Sequence, residues 1–373
     1  MKPWTGITLM HEAEFIAAAL PLFEAGEVEV LEWSYDTIAL PEHEPAWLSI
    51  LLQEYAAKGR LLAHGVRYSL LSGDHSKQQE AWLEQTAAEL KRYPYRHITE
   101  HFGFMSSSHF HKGAPLPVPL NKQTLAIGQD RLKRLQQVAG LPTGIENLAF
   151  SFSMEQVKEQ GQFLEKLVEP VKGFIILDLH NIWCQAVNFR TDPQSLIDAY
   201  PLHLVKEIHL SGGSWSTVSS SKDPVRRDTH DEALPKEVLG LLAYALPKCP
   251  QTEAVIFERL GDSLNGEEDR LQFAEDFRTI KQAVEHLCGG QPGPSELVNL
   301  QTTGREVTTS PLINTTLSRQ QKQLIRLLSQ NAHPGETIRA LRQDSSLAAY
   351  GWNVDQWTDA MIETAIQLLK KWN

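Results

Sequence analysis

Eight short apolar runs, each followed by an amphipathic stretch, recur along most of this 373-residue chain. The runs are typical of buried strands, and the stretches between them are typical of helices. Eight such units within roughly 290 residues have the size and rhythm of a (β/α)8 barrel. We therefore expect an α/β fold, a TIM barrel, over residues 1–288. The predicted strands are GITLM (6–10), VEVLEW (28–33), LLAHGV (61–66), HITEHFGF (97–104), TGIENLAF (143–150), GFIILDLH (173–180), LVKEIHLSGG (204–213) and EAVIFERL (253–260).

The composition changes after the last predicted helix of the barrel. Residues 289–316 are rich in Gly, Pro, Ser and Thr, which is typical of a linker. Residues 317–373 predict three further helices, a segment that is short for an independent core. We expect a small C-terminal helical extension that either packs on the barrel or binds a partner.

Composition and charge exclude several classes of protein. No apolar run approaches the roughly 20 residues that a membrane span needs, and the N-terminus lacks the long apolar segment of a secretory signal. The three cysteines are far apart, which predicts neither a disulfide framework nor a CxxC zinc site and suits a reducing cytoplasm. A net charge of −11 argues against nucleic acid as a partner.

Polar side chains with metal-binding chemistry stand at or just after the ends of the third to eighth predicted strands. In a (β/α)8 barrel these ends converge on one face, where such enzymes keep their active sites. Carboxylates crowded there would repel one another, and divalent metal ions would remove that cost. Imidazole and carboxylate ligands suit Zn, Fe or Mn. The candidate ligands are His64, His101, Glu146, Asp178, Asn181, His209, Asp228, His230 and Glu258.

Each of these residues also has a plainer interpretation. A lone histidine at a strand end is more often structural than a ligand, and RRDTHDE (226–232) could be a charged loop. His109 and His111 are interpreted as loop residues. His180 has the same strand parity as Asp178 and stays an open candidate. The combined pattern, rather than any one residue, predicts the metal site.

The ordered set of ligands resembles the multinuclear non-heme iron-dependent oxidases, a family long catalogued as a domain of unknown function. Its known members modify cysteine or nearby residues of ribosomally made peptides, using two or three iron ions and O2. They include the methanobactin enzyme and an enzyme that excises a carbon from a C-terminal cysteine. The stretches that carry the resemblance are AHGVRYSL, TEHFGF, GIENLAF, ILDLHNIW, EIHLSGG, RRDTHD and IFERLGD, spread over residues 5–285.

The resemblance implies a role for each ligand. It makes Glu146 a bridge between two irons, with the catalytic centre formed by Glu146, Asp178, His209 and Glu258. It also implies a cytoplasmic oxidase that acts on a Cys-containing precursor peptide, helped by a small partner protein that holds the leader segment. Besides the bridging Glu146, the resemblance places His64 and His101 on the first iron, Asp178, His209 and Glu258 on the second, and Asn181, Asp228 and His230 on a weaker third.

Four arginines near the expected mouth of the barrel are candidates for substrate binding. A guanidinium can bind a peptide carboxylate through two parallel hydrogen bonds. Loop arginines are more often simply solvated, so these residues stay candidates. They are Arg190, Arg226, Arg227 and Arg259.

One departure from the family pattern and two further resemblances leave alternatives open. The family usually has Glu-Asn after its second strand, whereas this chain has Glu32-Trp33, so the contribution of Glu32 is open. The pattern also resembles, less closely, the three-zinc apurinic endonucleases and xylose isomerase-like barrels. The endonucleases carry His where this chain has Asn181. A phosphodiesterase would need a basic surface, a sugar isomerase a catalytic Lys or His pair, and a non-catalytic metal scaffold would keep the same ligands.

Overall fold

The apolar runs form the strands of a closed barrel, because they are rich in Val, Ile, Leu and Phe and are buried on both faces. Neighbouring strands are parallel and pair in chain order, and the last strand closes on the first. The predicted TIM barrel is therefore confirmed. The strands are β1 (Trp4–Leu9), β2 (Val30–Trp33), β3 (Leu61–Gly65), β4 (Ile98–His101), β5 (Thr143–Glu146), β6 (Phe174–Asp178), β7 (Val205–Ser211) and β8 (Ala254–Glu258).

Amphipathic helices alternate with the strands and cover the outside of the barrel. Several begin at polar caps; the side chains of Ser76, Asn121 and Ser153 accept hydrogen bonds from the first turn of the helix that follows. The helices of the barrel are α1 (Ala13–Glu24), α2 (Ala46–Ala57), α3 (Lys77–Arg92), α4 (Lys122–Ala139), α5 (Met154–Val168), α6 (Leu179–Asn188), α7 (Pro193–Asp198), α8 (Lys236–Ala245) and α9 (Glu267–Cys288).

This computed structural model describes residues 1–37, 45–105, 114–295, 304–305, 307–330, 333–348 and 350–372. His109 and His111, which the sequence predicts to be loop residues, lie outside these ranges. Within these ranges, none of the helices combines the length and apolar character that crossing a membrane requires.

The interior of the barrel changes from apolar to polar along the strands. His97 and Glu207 form a buried pair, with His97 Nε2 2.8 Å from Glu207 Oε2. Although burial opposes the change, His97 and His209 lower the pKa of Glu207 to about 2. A separate cluster of buried apolar side chains fills the interior towards the N-terminal ends of the strands. It consists of Trp4, Val30, Leu62, Ala254 and Ile256.

Strand register places candidate ligands of neighbouring strands side by side. His101 pairs with Glu146 across β4 and β5, and Asp178 pairs with His209 across β6 and β7. Paired residues of adjacent strands point to the same side of a sheet. Side chains that are far apart in the sequence therefore enter the same space at the C-terminal end of the barrel.

The C-terminal extension packs against this end of the barrel. Trp352 and Trp357 are almost completely buried, and the Trp357 ring stacks on Phe152, with 3.8 Å between ring centroids. Gln321 accepts a hydrogen bond from the Gly73 amide and donates one to a barrel carbonyl. The extension and the barrel thus share one core. Its helices are α10 (Thr315–Gln330), α11 (Pro334–Gln343), α12 (Ser345–Ala348) and α13 (Asp359–Trp372).

Removing the Trp357 side chain should destabilise the whole protein. Trp357 is 2% exposed, and a Trp→Ala change in a core typically costs about 3–5 kcal/mol. We expect Trp357→Ala to lower the free energy of unfolding by about that amount in chemical denaturation. The matched control is Trp47→Ala, because Trp47 is 37% exposed and its loss should cost well under half as much. Equal effects of the two variants would contradict a shared core.

Candidate metal centre

The first group of ligands consists of His64, His101 and Glu146. The Nε2 atoms of both histidines lie 3.3 Å from the same oxygen, Glu146 Oε2. The other ring nitrogen of each is already bonded: His101 Nδ1 lies 3.0 Å from the Gly65 carbonyl, and His64 Nδ1 lies 2.8 Å from the Thr99 hydroxyl. A carbonyl can only accept, so His101 Nδ1 must carry the proton, which leaves the Nε2 lone pair facing Glu146. This is the orientation that metal-bound histidines adopt.

The His64 ring supports the same conclusion. The Thr99 hydroxyl donates its hydrogen to the Ala63 carbonyl at 3.2 Å, so it accepts from His64 Nδ1. Without a cation, a second proton must occupy Nε2: burial lowers the pKa of His64, but Glu32 and Glu146 outweigh that effect and raise it to about 10. A metal ion between the two histidines and Glu146 would replace this proton.

The second group consists of Glu146, Asp178 and His209. His209 is fully buried, and both of its ring nitrogens face carboxylates: Nδ1 lies 3.3 Å from Glu258 Oε2, and Nε2 lies 3.3 Å from Glu32 Oε2. Burial, with a further contribution from neighbouring carboxylates, raises the pKa of Asp178 well above its usual value. The His209 imidazole therefore lies between two buried carboxylates, those of Glu32 and Glu258.

A third group consists of Asp178, His230 and Glu258. His230 Nε2 lies 3.7 Å from Glu258 Oε2 and 2.9 Å from Asp228 Oδ1. His230 has a φ of 53°, a left-handed conformation that few residues other than glycine adopt. The loop after β7 therefore holds this ring in place at a cost in backbone energy.

Glu32, which the sequence left open, lies inside the cluster. It is fully buried and forms a further group with His209 and Glu258. The Thr8 hydroxyl lies 2.6 Å from Glu32 Oε1 and 3.1 Å from Glu258 Oε1, so it connects the two carboxylates. In the sequence, the place of Glu32 in β2, one residue before the strand ends, was the sign that it could belong to the cluster.

Asn181 contacts the cluster through its amide group. Its Nδ2 donates to Glu146 Oε1 at 3.1 Å and to the Asn147 carbonyl at 2.9 Å. Its Oδ1 is buried and has no hydrogen-bond partner in the described part of the chain. Asn181 therefore orients Glu146 and still has an oxygen to offer an ion.

His180 lies behind Asp228 rather than among the groups that could hold an ion. Its Nδ1 is 2.9 Å from Asp228 Oδ1, and its Nε2 accepts from Arg226 Nε at 3.4 Å. Since Arg226 can only donate, His180 carries its proton on Nδ1 and donates it to Asp228. Burial lowers the pKa of His180, which favours the neutral ring that this arrangement needs.

The donor atoms fit a cluster of metal ions. The atoms that face one another in these groups are imidazole nitrogens and carboxylate oxygens, the ligands of Zn, Fe and Mn. No cysteine belongs to these groups. The structure thus brings all the predicted ligands into one connected cluster, and metal binding itself stays a prediction. Among the residues that the structure describes, the buried oxygens Asp178 Oδ2 and Asn181 Oδ1 have no hydrogen-bond partner.

The structure places the four candidate arginines in different surroundings. Arg226 and Arg227 line a cavity of about 130 Å3 that also touches the cluster. Arg226 packs against Trp183 and Trp215, with its guanidinium carbon 4.6 and 5.2 Å from the ring centroids. The other two lie elsewhere: Arg190 is exposed and paired with Asp223, and Arg259 is buried and donates to Ser263.

The matched family model covers residues 39–282 and describes a RiPP precursor modification enzyme, MbnB/TglH/ChrH, where RiPP denotes a ribosomally synthesised and post-translationally modified peptide. A UPF0276 protein of Acaryochloris marina is 28% identical over 267 residues, which is 67% of this chain and 91% of that protein. Another, from Streptomyces avermitilis, is 28% identical over 209 residues, 53% of this chain and 41% of that protein.

Solved structures are similar to this chain at low identity. A xylose isomerase domain protein from Planctomyces limnophilus has a TM-score of 0.48 and 13% identity, covering 76% of this chain and 98% of that one. An L-ribulose 3-epimerase has a TM-score of 0.46 and 10% identity, covering 78% of this chain and all of that one, 100%.

Glu146 should serve two metal positions, because it belongs to two of the groups. After anaerobic loading with Fe(II) and desalting, we expect Glu146→Gln to lose metal from two positions and His101→Gln from one, as measured by elemental analysis. The control is Glu253→Gln: Glu253 precedes β8 at the other end of the barrel and pairs with Arg96. A folded Glu146→Gln variant that loses one equivalent or none would contradict the shared role.

Proposed function

Because this chain belongs to the MbnB/TglH/ChrH family of RiPP precursor modification enzymes, we propose that it is a non-heme iron, O2-dependent oxidase that modifies a cysteine of a ribosomally synthesised peptide. The observation that supports this most strongly is the linked set of His and carboxylate groups at the C-terminal end of the barrel. The groups share members, so ions bound there would be neighbours.

The proposed ligands follow the observed groups. Glu146 links the first group to the second, and Asp178 links the second to the third. Asp228 and Asn181 complete the cluster through His230 and Glu146. Bound iron would supply the redox chemistry with O2 and a position for the thiolate of the substrate.

The protein itself excludes water from most of the cluster. The side chains of His64, His209 and Glu258 are at most 6% exposed, whereas those of His101 and His230 are 26% and 23% exposed. The cluster is therefore open on one side, and we propose that the peptide approaches there. Burial elsewhere strengthens the electrostatic interactions between the site and its ligands.

Arg227 is the arginine best placed to bind a carboxylate of the peptide. Arg227 lines the cavity beside the cluster, and its Nη1 donates a hydrogen bond to Ser216 Oγ at 3.4 Å. No carboxylate lies within ion-pair distance of its guanidinium among the residues that the structure describes. Burial lowers the pKa of Arg227, but a guanidinium stays charged at neutral pH. Arg226, by contrast, is already engaged by Glu232 and two tryptophans.

Loading with Fe(II) and exposure to O2 should convert a Cys-containing precursor peptide. We expect a mass change confined to the cysteine region, O2 consumption in proportion to product, and no change in a peptide with Ser in place of that Cys. We also propose that a small partner protein holds the leader segment, so turnover should increase when that partner protein is added. Mass spectrometry and an oxygen electrode measure these outcomes.

Three results would contradict this proposal in different ways. Zinc-loaded protein that cleaves DNA at abasic sites would favour the phosphodiesterase alternative. Turnover of a sugar without O2 would favour the isomerase alternative. Iron-loaded protein that consumes no O2 with any Cys-containing precursor would favour a metal-binding scaffold.

Replacing Arg227 should weaken peptide binding. A hydrogen bond to a charged group contributes about 1.5–3 kcal/mol, so we expect Arg227→Ala to raise KM for the peptide by about tenfold or more. Arg190→Ala is the matched control, since Arg190 is exposed and paired with Asp223. If the bound group is the C-terminal carboxylate, a C-terminally amidated peptide should show no difference between Arg227→Ala and the unmodified protein. Equal KM values for all variants and all peptides would contradict the role of Arg227.

A further inference from the structure

Helix α13 forms part of the wall of the cavity beside the cluster. Thr364 and Leu368 line this cavity together with His101, Asn181 and Asp228. The match to the family model ends at residue 282, so this wall comes from a part of the chain that the family model does not match. The C-terminal extension therefore contributes to the site as well as to the core.

Two sets of contacts fix α13 at this place. On one side, the Glu363 carboxylate accepts four hydrogen bonds of 2.8–3.0 Å from the backbone amides and hydroxyls of Ser219 and Ser220. Gln367 Nε2 adds a bond of 3.0 Å to the Thr217 carbonyl in the same loop. The loop after β7 and the helix therefore hold each other.

The second set joins the start of α13 to the loop after β5. The Thr358 amide donates to the Phe152 carbonyl at 3.1 Å, and Phe152 stacks on Trp357. Because α13 is attached at both places, its side chains keep a defined position relative to the cavity. Because packed side chains move little, a wall of this kind can exclude ligand groups that are too large for the cavity.

The space beside the cluster is small. Its volume is about 130 Å3, less than the roughly 150 Å3 of an engineered cavity that holds one benzene molecule. The Thr364 hydroxyl donates to the Ala360 carbonyl at 2.8 Å, so it has no hydrogen left for a ligand. Leu368 is half-buried and apolar. What α13 offers to a ligand is therefore shape rather than hydrogen-bond donors.

We infer that Leu368 and Thr364 are specificity-determining residues, which limit the group that reaches the cluster to one small side chain. The identification of that group as a peptide side chain rests on the proposed function. The size limit itself rests on the cavity and on the position of α13, so the two can be tested separately.

The test measures the size limit without metal, O2 or peptide. Ala149 is half-buried and lines the same cavity, whereas the native cysteines Cys184, Cys249 and Cys288 are all buried. In an Ala149→Cys background, labelling rates are measured with methyl and with benzyl methanethiosulfonate, and the protein without the added cysteine gives the correction for native thiols. We expect the benzyl reagent to react at least about tenfold more slowly, after normalising to the rates of free cysteine.

Changes at Leu368 should alter the ratio of the labelling rate with the methyl reagent to that with the benzyl reagent. Leu368→Ala should reduce the preference for the methyl reagent by about fivefold or more, and Leu368→Phe should slow even the methyl reagent. Lys370→Ala, an exposed change on the same helix, should leave both rates unchanged. Circular dichroism shows whether each variant is folded, and the two Leu368 variants serve as independent tests.

If the methyl-to-benzyl rate ratio of both Leu368 variants lies within twofold of the ratio of the Ala149→Cys protein, the inference is overturned, whatever the protein does to peptides. A shifted ratio supports the inference even if iron-loaded protein modifies no peptide. In that case the proposed function fails and the size limit stands.

Discussion

The burial of several carboxylates and imidazoles side by side in the barrel is the constraint on which the rest of the site depends. Glu32, Glu146, Asp178 and Glu258 are at most 5% exposed and lie among histidines whose ring nitrogens face them. An unpaired buried charge costs several kcal/mol. Protons on the histidines relieve part of that cost, and cations shared between the groups would relieve it further, since imidazole nitrogens and carboxylate oxygens are ligands of Zn, Fe and Mn.

The scaffold supplies the rigidity that such a site needs. Apolar side chains fill part of the barrel interior, and the buried His97–Glu207 pair contacts the cluster, because Glu207 Oε1 lies 3.4 Å from His209 Nε2. Outside the groups, Thr99 and the Gly65 carbonyl fix the histidine rings, and His180 fixes Asp228. These contacts orient the donor atoms before any ion binds, which is how surrounding hydrogen bonds tune metal sites.

The C-terminal extension connects the core to the substrate. Its tryptophans are part of the common core, and α13 continues from that packing to the edge of the cavity. The barrel thus surrounds most of the cluster, and helix α13, which lies outside the residues that the family model matches, bounds the cavity beside it. In this arrangement the barrel would determine the chemistry, and the extension would select the side chain that reaches it.

From the sequence alone, the apolar runs predicted the barrel, and the polar residues at their ends identified the candidate ligands, because strand direction and parity are local properties. The sequence did not decide the membership of Glu32, the role of His180 as a support for Asp228, or which arginines reach the cavity. Nor did it place Leu368 beside His101. Those outcomes depend on register and on packing between distant segments, and only the closed barrel with its docked helix brings these side chains together.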